Sequence, residues 1–590
     1  MDKFKILFFL SIVSCFLHAC KEKEAEKPPQ PNVVIILSDD QAWGDLSING
    51  NKNIETPHID GIANAGAIFN NFYVAAVCSP TRAELLTGRY SFRSGVYGTG
   101  GGAERMDIDE TTIAEVFKKA GYETAAYGKW HNGMQYPYHP NARGFDDFYG
   151  FCSGHWGNYF SPMLEHNGEI VDGKGFIIDD FTNHGLEFIE NNKNKPFLLY
   201  LPYNTPHTPL QAPEENWTHF KNKEITMLAN TDDENLTETR AALAMCENID
   251  DNVGRVINKL KQLNLEANTI VLFFSDNGPA KARWNGNMKK RKGSTEEGGV
   301  RSPLVMKWPK KIKAGTKIER LVSAIDLLPT LSELCGIDYK TNKPLDGISF
   351  KNTLLGNSVK FKDRFLLNAW KDQISIRTQK YRLSYDDKLY DIENDRAQQN
   401  DISLDVPEIK NRLKNKALAF KKTINEELPE IDERPFFVGH PDMKFTQIPA
   451  RDGNAHGNIK RSNRWPNCSF FTNWVSLKDS ITWQVKVPET GRFKVKLFYT
   501  CPKGDEGSLL QLSFLENKLT FNIKESHDPP LIGMEKDLVP RIESYVKDWK
   551  QVDIGNITLQ EGTGELALKA LEMAGKSIMD FRLLLFERIP

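Results

Sequence analysis

What the chain lacks narrows its chemistry before any motif is read. Its 590 residues hold eight cysteines and no Cys-x-x-Cys pair, which argues against the common structural zinc arrangements. Lys and Arg (76) nearly match Asp and Glu (78), for a formal net charge of −2. No basic field is present to attract nucleic acid, so an anionic ligand must be held by local groups. The N-terminal apolar run, Ile6 to Leu17, is too short to span a bilayer. Apolar residues are not scarce: at 40% they suffice for real cores, and the length calls for two folded domains.

Lys3 and Lys5 precede that run and Leu17-His18-Ala19-Cys20 follows it, the pattern of an export signal. Leu-x-Ala-Cys resembles a bacterial lipobox. The resemblance implies a signal peptide over 1–20, lipidation of Cys20, a charged tether over 21–30 beginning Lys21-Glu22-Lys23-Glu24, and an exported lipoprotein of a Gram-negative bacterium, facing the periplasm or displayed at the surface. A plain secretory signal with a fortuitous cysteine is the alternative.

Four apolar segments end in polar groups. Asn32 to Leu37 runs into Ser38-Asp39-Asp40, and Thr269 to Phe274 into Ser275-Asp276-Asn277-Gly278. Tyr122 to Gly128 leads to Lys129-Trp130-His131, and Phe197 to Leu201 to Pro206-His207. Continuous apolar runs of this length mark strands buried on both faces, and ligands gather at the carboxyl ends of such strands in parallel sheets. Ile113, Val116, Phe117 and Ala120, and later Ile249, Val253, Val256, Ile257 and Leu260, repeat at helical spacing between them. The alternation predicts an α/β sheet flanked by helices. Asp39, Asp40, Asp276 and Asn277 would form an all-oxygen set suited to a hard cation such as calcium. Singly, an Asp pair is more often a turn, a histidine more often structural, and a lysine more often a surface charge.

Cys78 lies in Val77-Cys78-Ser79-Pro80-Thr81-Arg82, followed by Leu86-Thr87-Gly88-Arg89. Ser79 can cap a helix, Pro80 fits its first turn and Gly88 can end it, which predicts a short helix beginning at Cys78. Its N-terminus would favour an anion, with Arg82 one turn on at the same side.

The Cys-x-Pro-Thr-Arg…Leu-Thr-Gly-Arg pattern resembles the signature of the type I, formylglycine-dependent sulfatases of the alkaline phosphatase superfamily. Lys292 within Lys292-Gly293-Ser294-Thr295-Glu296-Glu297-Gly298-Gly299-Val300-Arg301-Ser302-Pro303, Gly128-Lys129-Trp130-His131, Pro206-His207, Asp39-Asp40 and Asp276-Asn277-Gly278 match further motifs of that family, although Asn132 stands where leucine is commonest. The resemblance implies a mixed sheet flanked by helices with a smaller α+β C-terminal subdomain. It also implies conversion of Cys78 to formylglycine by a formylglycine-generating or anaerobic sulfatase-maturating enzyme, and one calcium ion on Asp39, Asp40, Cys78, Asp276 and Asn277. In the implied mechanism the hydrated aldehyde attacks sulfur while Arg82, Lys129 and Lys292 hold the sulfate. Asp276 takes the attacking proton, His131 bonds the second diol hydroxyl, and His207 protonates the leaving oxygen. The function implied is hydrolysis of sulfate monoesters. A formylglycine-dependent phosphonate or phosphate ester hydrolase, and a glycan-binding lipoprotein without activity, are the alternatives.

With Cys15 lost in the signal, Cys20 lipidated and Cys78 oxidised, Cys152, Cys246, Cys335, Cys468 and Cys501 remain, an odd number that permits no complete disulfide framework. Cys468 and Cys501 are the candidate bridge. The sulfatase-like region extends over 31–425, with the subdomain starting at about 340 and closing near Tyr390-Asp391-Ile392; 426–439 is the expected linker. Beyond it the period becomes two: Ile481, Trp483, Val485 and Val487 alternate, Pro488-Glu489-Thr490-Gly491 turns, and Phe493, Val495, Leu497 and Tyr499 alternate again, which predicts a hairpin. Residues 440–590 are expected to form an appended all-β sandwich. Such a module resembles the carbohydrate-binding domains of secreted hydrolases, or it closes the active-site pocket. Trp465, Trp474 and Trp549 are candidates for sugar stacking, with core packing the more frequent fate, and Gly154-His155-Trp156-Gly157-Asn158-Tyr159 either lines subsites or is structural. Together these features predict a sulfated polysaccharide or oligosaccharide as substrate.

Overall fold

The computed structural model describes residues 30–229, 231–357, 363–428 and 432–590. The signal peptide, Cys15, Cys20 and nearly all of the tether lie outside the described residues. Among the described residues no helix is long and apolar enough to cross a membrane.

The four apolar runs are four adjacent parallel strands. Thr269–Ser275, Asn32–Ser38, Phe197–Pro202 and Glu123–Lys129 lie side by side at the centre of a ten-stranded mixed sheet. Leu37 stands opposite both Phe274 and Pro202, so the strands end at one level. Asp147–Phe151 continues the parallel order on one side, and Leu304–Lys307 runs antiparallel on the other. Side chains along Asn32–Ser38 alternate between two cores: Val33, Ile35 and Leu37 enter one, Val34 and Ile36 the other. Both faces are therefore buried, as an uninterrupted apolar run requires. Helices Ile177–Asn191 and Leu236–Gln262 contribute to the second core, and Ile113–Lys119 to the first.

A four-stranded antiparallel sheet of Leu366–Trp370, Gln373–Arg377, Tyr381–Leu383 and Leu389–Asp391 follows. Helix Pro407–Glu427 packs on it through Leu413. The chain then builds an all-β region whose first strand, Phe436–Phe437, already pairs with Ser480–Val487.

The hairpin expected at 481–499 is absent. Ser480–Val487 pairs with Gly562–Glu572 in one sheet, while Gly491–Thr500 pairs with Lys550–Leu559 and Asp580–Ile589 in the other. The Pro488–Gly491 corner carries the chain from one sheet to the facing one. Both strands turn their alternating apolar residues into the same core, where Trp483 and Val485 meet Phe493 and Leu497. A period of two records which face is buried and says nothing of the partner strand.

No disulfide joins Cys468 and Cys501: both are free and buried. Cys468 Sγ donates to the His155 carbonyl at 2.9 Å, and Cys501 belongs to the sandwich core. Trp474 is core, and Trp549 packs edge-on against Phe470 with ring centroids 5.1 Å apart. Only Trp465 of the three candidates is substantially open, at 47% exposure.

Candidate active site

The sheet's carboxyl rim assembles all ten predicted site residues. Helix Cys78–Thr87 begins at Cys78 and stops at Gly88, whose φ of +68° suits a residue without Cβ. Val77 is its N-cap and no side chain caps it. Ser79 does not act as the cap foreseen: its hydroxyl donates to the His131 carbonyl at 2.9 Å, tying the helix to the His131 loop instead.

Cys78, Asp39 and Asp276 each place one potential ligand atom within 4.8 Å of the others, and all three side chains are buried. Asp39, Asp40 and His207 form a second such group. Arg82 bridges the carboxylates, with Nη2 2.9 Å from Asp276 Oδ2 and 3.7 Å from Asp39 Oδ2. Lys129 Nζ lies 2.5 Å from Asp39 Oδ2, and Lys292 Nζ 2.6 Å from Asp40 Oδ1. Of the lysines near 290, then, Lys292 enters the site. Lys289 donates instead to the Tyr390 hydroxyl at 3.1 Å, and Lys290 is exposed.

The acceptors outnumber their partners. Asp39 Oδ1, Asp40 Oδ2 and Asn277 Oδ1 are buried without a hydrogen bond, a costly state for carboxylates and amides unless a ligand meets them. Burial, then the charge of Asp39, pushes the Asp276 carboxyl up. Asp39 is itself held far below the usual carboxylate range, because Lys129, His207 and Arg82 outweigh the effect of burial. These oxygen donors fit a hard divalent cation, which would relieve the repulsion between the carboxylates and meet the orphaned oxygens.

The two histidines have distinct orientations. His131 Nε2–H donates to the Thr99 carbonyl at 3.1 Å, leaving a buried, unpartnered Nδ1. His207 Nδ1–H donates to the Thr208 carbonyl at 2.8 Å, and its Nε2 stands 3.8 Å from Asp40 Oδ2. Burial, then Lys292, lowers the His207 pKa, and burial, then Lys129, lowers that of His131. Burial pushes the Cys78 thiol up. Asp40 and His131 hold φ of +68° and +66°, uncommon for residues with a Cβ and typical of strain stored at functional sites.

The Gly154–Tyr159 loop serves as support. The Tyr159 hydroxyl donates to the Thr208 carbonyl at 2.9 Å, and the Trp156 ring stacks on Phe151 at 4.9 Å. Residues of the all-β region also reach the site, which no local pattern in the sequence announces. Asn467 Nδ2 donates to the same Thr99 carbonyl at 3.4 Å, and Glu543 accepts from Thr208 at 3.3 Å.

Known proteins resemble this chain in sequence and fold. The family model described as Sulfatase matches residues 31–337, just over half of the chain, and that of N-sulphoglucosamine sulphohydrolase, C-terminal, matches 288–431. N-acetylgalactosamine-6-sulfatase of Mus musculus is 32% identical over 367 residues, covering 56% of this chain and 67% of its own. Arylsulfatase G of Rattus norvegicus is 32% identical over 390 residues, covering 56% and 70% respectively. The crystal structure of Ps i-CgsB in complex with k-i-k-neocarrahexaose aligns with a TM-score of 0.60 at 33% identity, over 66% of this chain and 92% of that one. Phosphonate monoester hydrolase of Agrobacterium radiobacter shares the fold, with a TM-score of 0.52 at 18% identity over 67% of this chain and 96% of that one; architecture alone does not choose between the chemistries. With its family match and its relatives, the chain belongs to the type I sulfatases of the alkaline phosphatase superfamily and is a sulfuric ester hydrolase.

Proposed function

We propose that this enzyme removes sulfate from a sulfated polysaccharide or oligosaccharide outside the cytoplasm, using formylglycine made from Cys78 and one calcium ion. The observation that carries the reading is the placement of Cys78 within 4.8 Å of carboxylate oxygens of Asp39 and Asp276, at a helix N-terminus. Three cationic side chains, Arg82, Lys129 and Lys292, pair with the surrounding carboxylates. Asp39, Asp40, Asp276 and Asn277, with position 78, would hold the cation, whose charge would favour the anionic substrate and the charge that develops on it. Formylglycine, once hydrated, supplies an oxygen nucleophile at a position where the encoded residue offers only a thiol.

The protein's own groups do the rest. Arg82, Lys129 and Lys292 orient the sulfate oxygens through charge-assisted N–H donors, fixed in place before substrate arrives. Asp276 accepts the proton of the attacking hydroxyl. His131, with Nε2–H committed to Thr99, keeps Nδ1 as an acceptor toward the second hydroxyl at position 78. His207, with Nδ1–H committed to Thr208, turns Nε2 toward the leaving oxygen and, in its doubly protonated imidazolium form, gives that oxygen the Nε2 proton and returns to the neutral ring; Lys292 stands beside it.

A carbohydrate substrate is supported by the relatives' names: one acts on N-acetylgalactosamine 6-sulfate and another was solved with k-i-k-neocarrahexaose. The N-terminal residues support export with a lipid anchor at Cys20, and the Cys-x-Pro-Thr-Arg context supports a maturating enzyme as partner. The test is to compare sulfate and phosphate release from 4-nitrophenyl esters by the matured protein, then to offer the two sugars above. Faster sulfate release is expected; faster phosphate release would assign the chain to phosphate or phosphonate esters.

A further inference from the structure

A cavity of about 370 Å³ opens onto Asp40, His207 and Lys292, where the group departing from sulfate must sit. One wall comes from the sulfatase-type region. The other is Val539, Pro540, Arg541, Ile542 and Glu543 of the all-β region, beyond the residues that the family models match.

This wall is fastened to the catalytic side. Leu538 N–H donates to the Leu210 carbonyl at 2.9 Å. Gln211 Nε2 donates to the Gly533 carbonyl at 3.0 Å and to Asp537 Oδ1 at 2.8 Å. Arg541 pairs with Asp537 and donates to the Gly157 carbonyl. Asn463 Nδ2 donates to the Ile542 carbonyl at 2.7 Å, and Thr208, next to His207, donates to Glu543 Oε2 at 3.3 Å. A loop held at so many points on both sides has a fixed distance to the reacting centre.

The cations that line the cavity already have carboxylate partners. Lys281 pairs with Glu238 at 2.9 Å, Arg291 with Asp233 at 2.7 Å, Arg283 with Asp45 at 2.7 Å and Lys292 with Asp40 at 2.6 Å. Among the described residues no cation pairs with Glu543. Glu543 therefore lines the cavity as an acidic side chain with no direct cationic partner and with acceptor capacity beyond the Thr208 hydroxyl.

We infer that Glu543 is a specificity-determining residue of the leaving-group pocket, accepting hydroxyls of a neutral sugar ring and disfavouring a second anionic group there. The inference rests on the sulfatase reading above. It makes the all-β region part of the active site rather than a separate binding module. A like charge inside a cavity of effective dielectric about 20 changes a rate ratio by roughly tenfold or more.

The experiment compares kcat/KM of the matured full-length enzyme on 4-carboxyphenyl sulfate and 4-(hydroxymethyl)phenyl sulfate. The wild type is expected to favour the hydroxymethyl ester. Glu543→Gln, which keeps the side chain's shape and an oxygen for Thr208, should raise the carboxy-to-hydroxymethyl ratio about tenfold, and Glu543→Ala should raise it in the same direction. Ratios within about twofold of wild type in both variants would overturn the role of Glu543 while leaving the enzyme a sulfatase. A matured wild type that releases sulfate from neither ester would instead remove the reading on which the inference rests.

Discussion

Cys78 is 3% exposed, so whatever reacts there must enter the pocket that Arg82, Lys129 and Lys292 already define. Cys78→Ser supplies a hydroxyl in place of the thiol on which maturation to the aldehyde acts. The variant should lose turnover on 4-nitrophenyl sulfate by about 10³-fold or more. His207→Ala should lower kcat by about 10²- to 10⁴-fold, with a smaller loss on esters of good leaving groups, which need less protonation. At this scale the sequence is informative wherever a residue adjoins a strand end. Asp39, Asp276 and Lys129 are legible because the apolar run before each fixes its height above the sheet. The run before His207 ends several residues earlier and gives only its neighbourhood. Lys292 is separable from Lys289 and Lys290 by motif alone, and its bond to Asp40 shows why that one is used. Glu543 is not legible: 335 residues separate it from Thr208, and nothing in its local sequence marks it.

At the scale of elements, uninterrupted apolar runs identify the four central strands because double-sided burial leaves no polar alternation. The sandwich strands are visible for the opposite reason, yet their pairing is not, since strands on facing sheets and strands in one hairpin bury the same alternate residues. The segment that carries Lys292 shows a further limit. Helix Glu297–Val300 is pinned by Glu297, which meets Arg301 at 2.9 Å and Arg382 at 2.8 Å, with Arg377 at 3.5 Å. Arg377 and Arg382 belong to the four-stranded subdomain sheet, so this buried cluster ties the Lys292 loop to it. Glu297→Ala leaves three buried arginines uncompensated and should destabilise the fold by about 3–5 kcal/mol, read by denaturant unfolding. Burial alone would raise the Glu297 carboxyl, but Arg382, Arg301 and Arg377 hold it well below the usual range. Because its folded pKa is depressed, its contribution is present above the unfolded value of about 4.3 and lost as pH falls below it. The stability gap between wild type and Glu297→Gln should accordingly narrow on acidification below about pH 4.

At the scale of the whole molecule, two regions build one site. The sulfatase-type region supplies the carboxylates and cations, and the all-β region supplies an outer wall through Asn467, Arg541 and Glu543. The buried, unpartnered oxygens of Asp39, Asp40 and Asn277 predict that stability depends on a bound cation as well. Chelation should abolish activity and lower Tm by a few degrees, and calcium should restore both. Magnesium, which demands shorter and near-octahedral coordination, should restore less. The central claim remains that position 78 acts as an aldehyde rather than a thiol. Mass spectrometry of the Cys78 peptide from protein that is releasing sulfate tests it most directly. The account predicts loss of the sulfur and gain of an aldehyde in proportion to activity; fully active protein with an unmodified Cys78 thiol would contradict it.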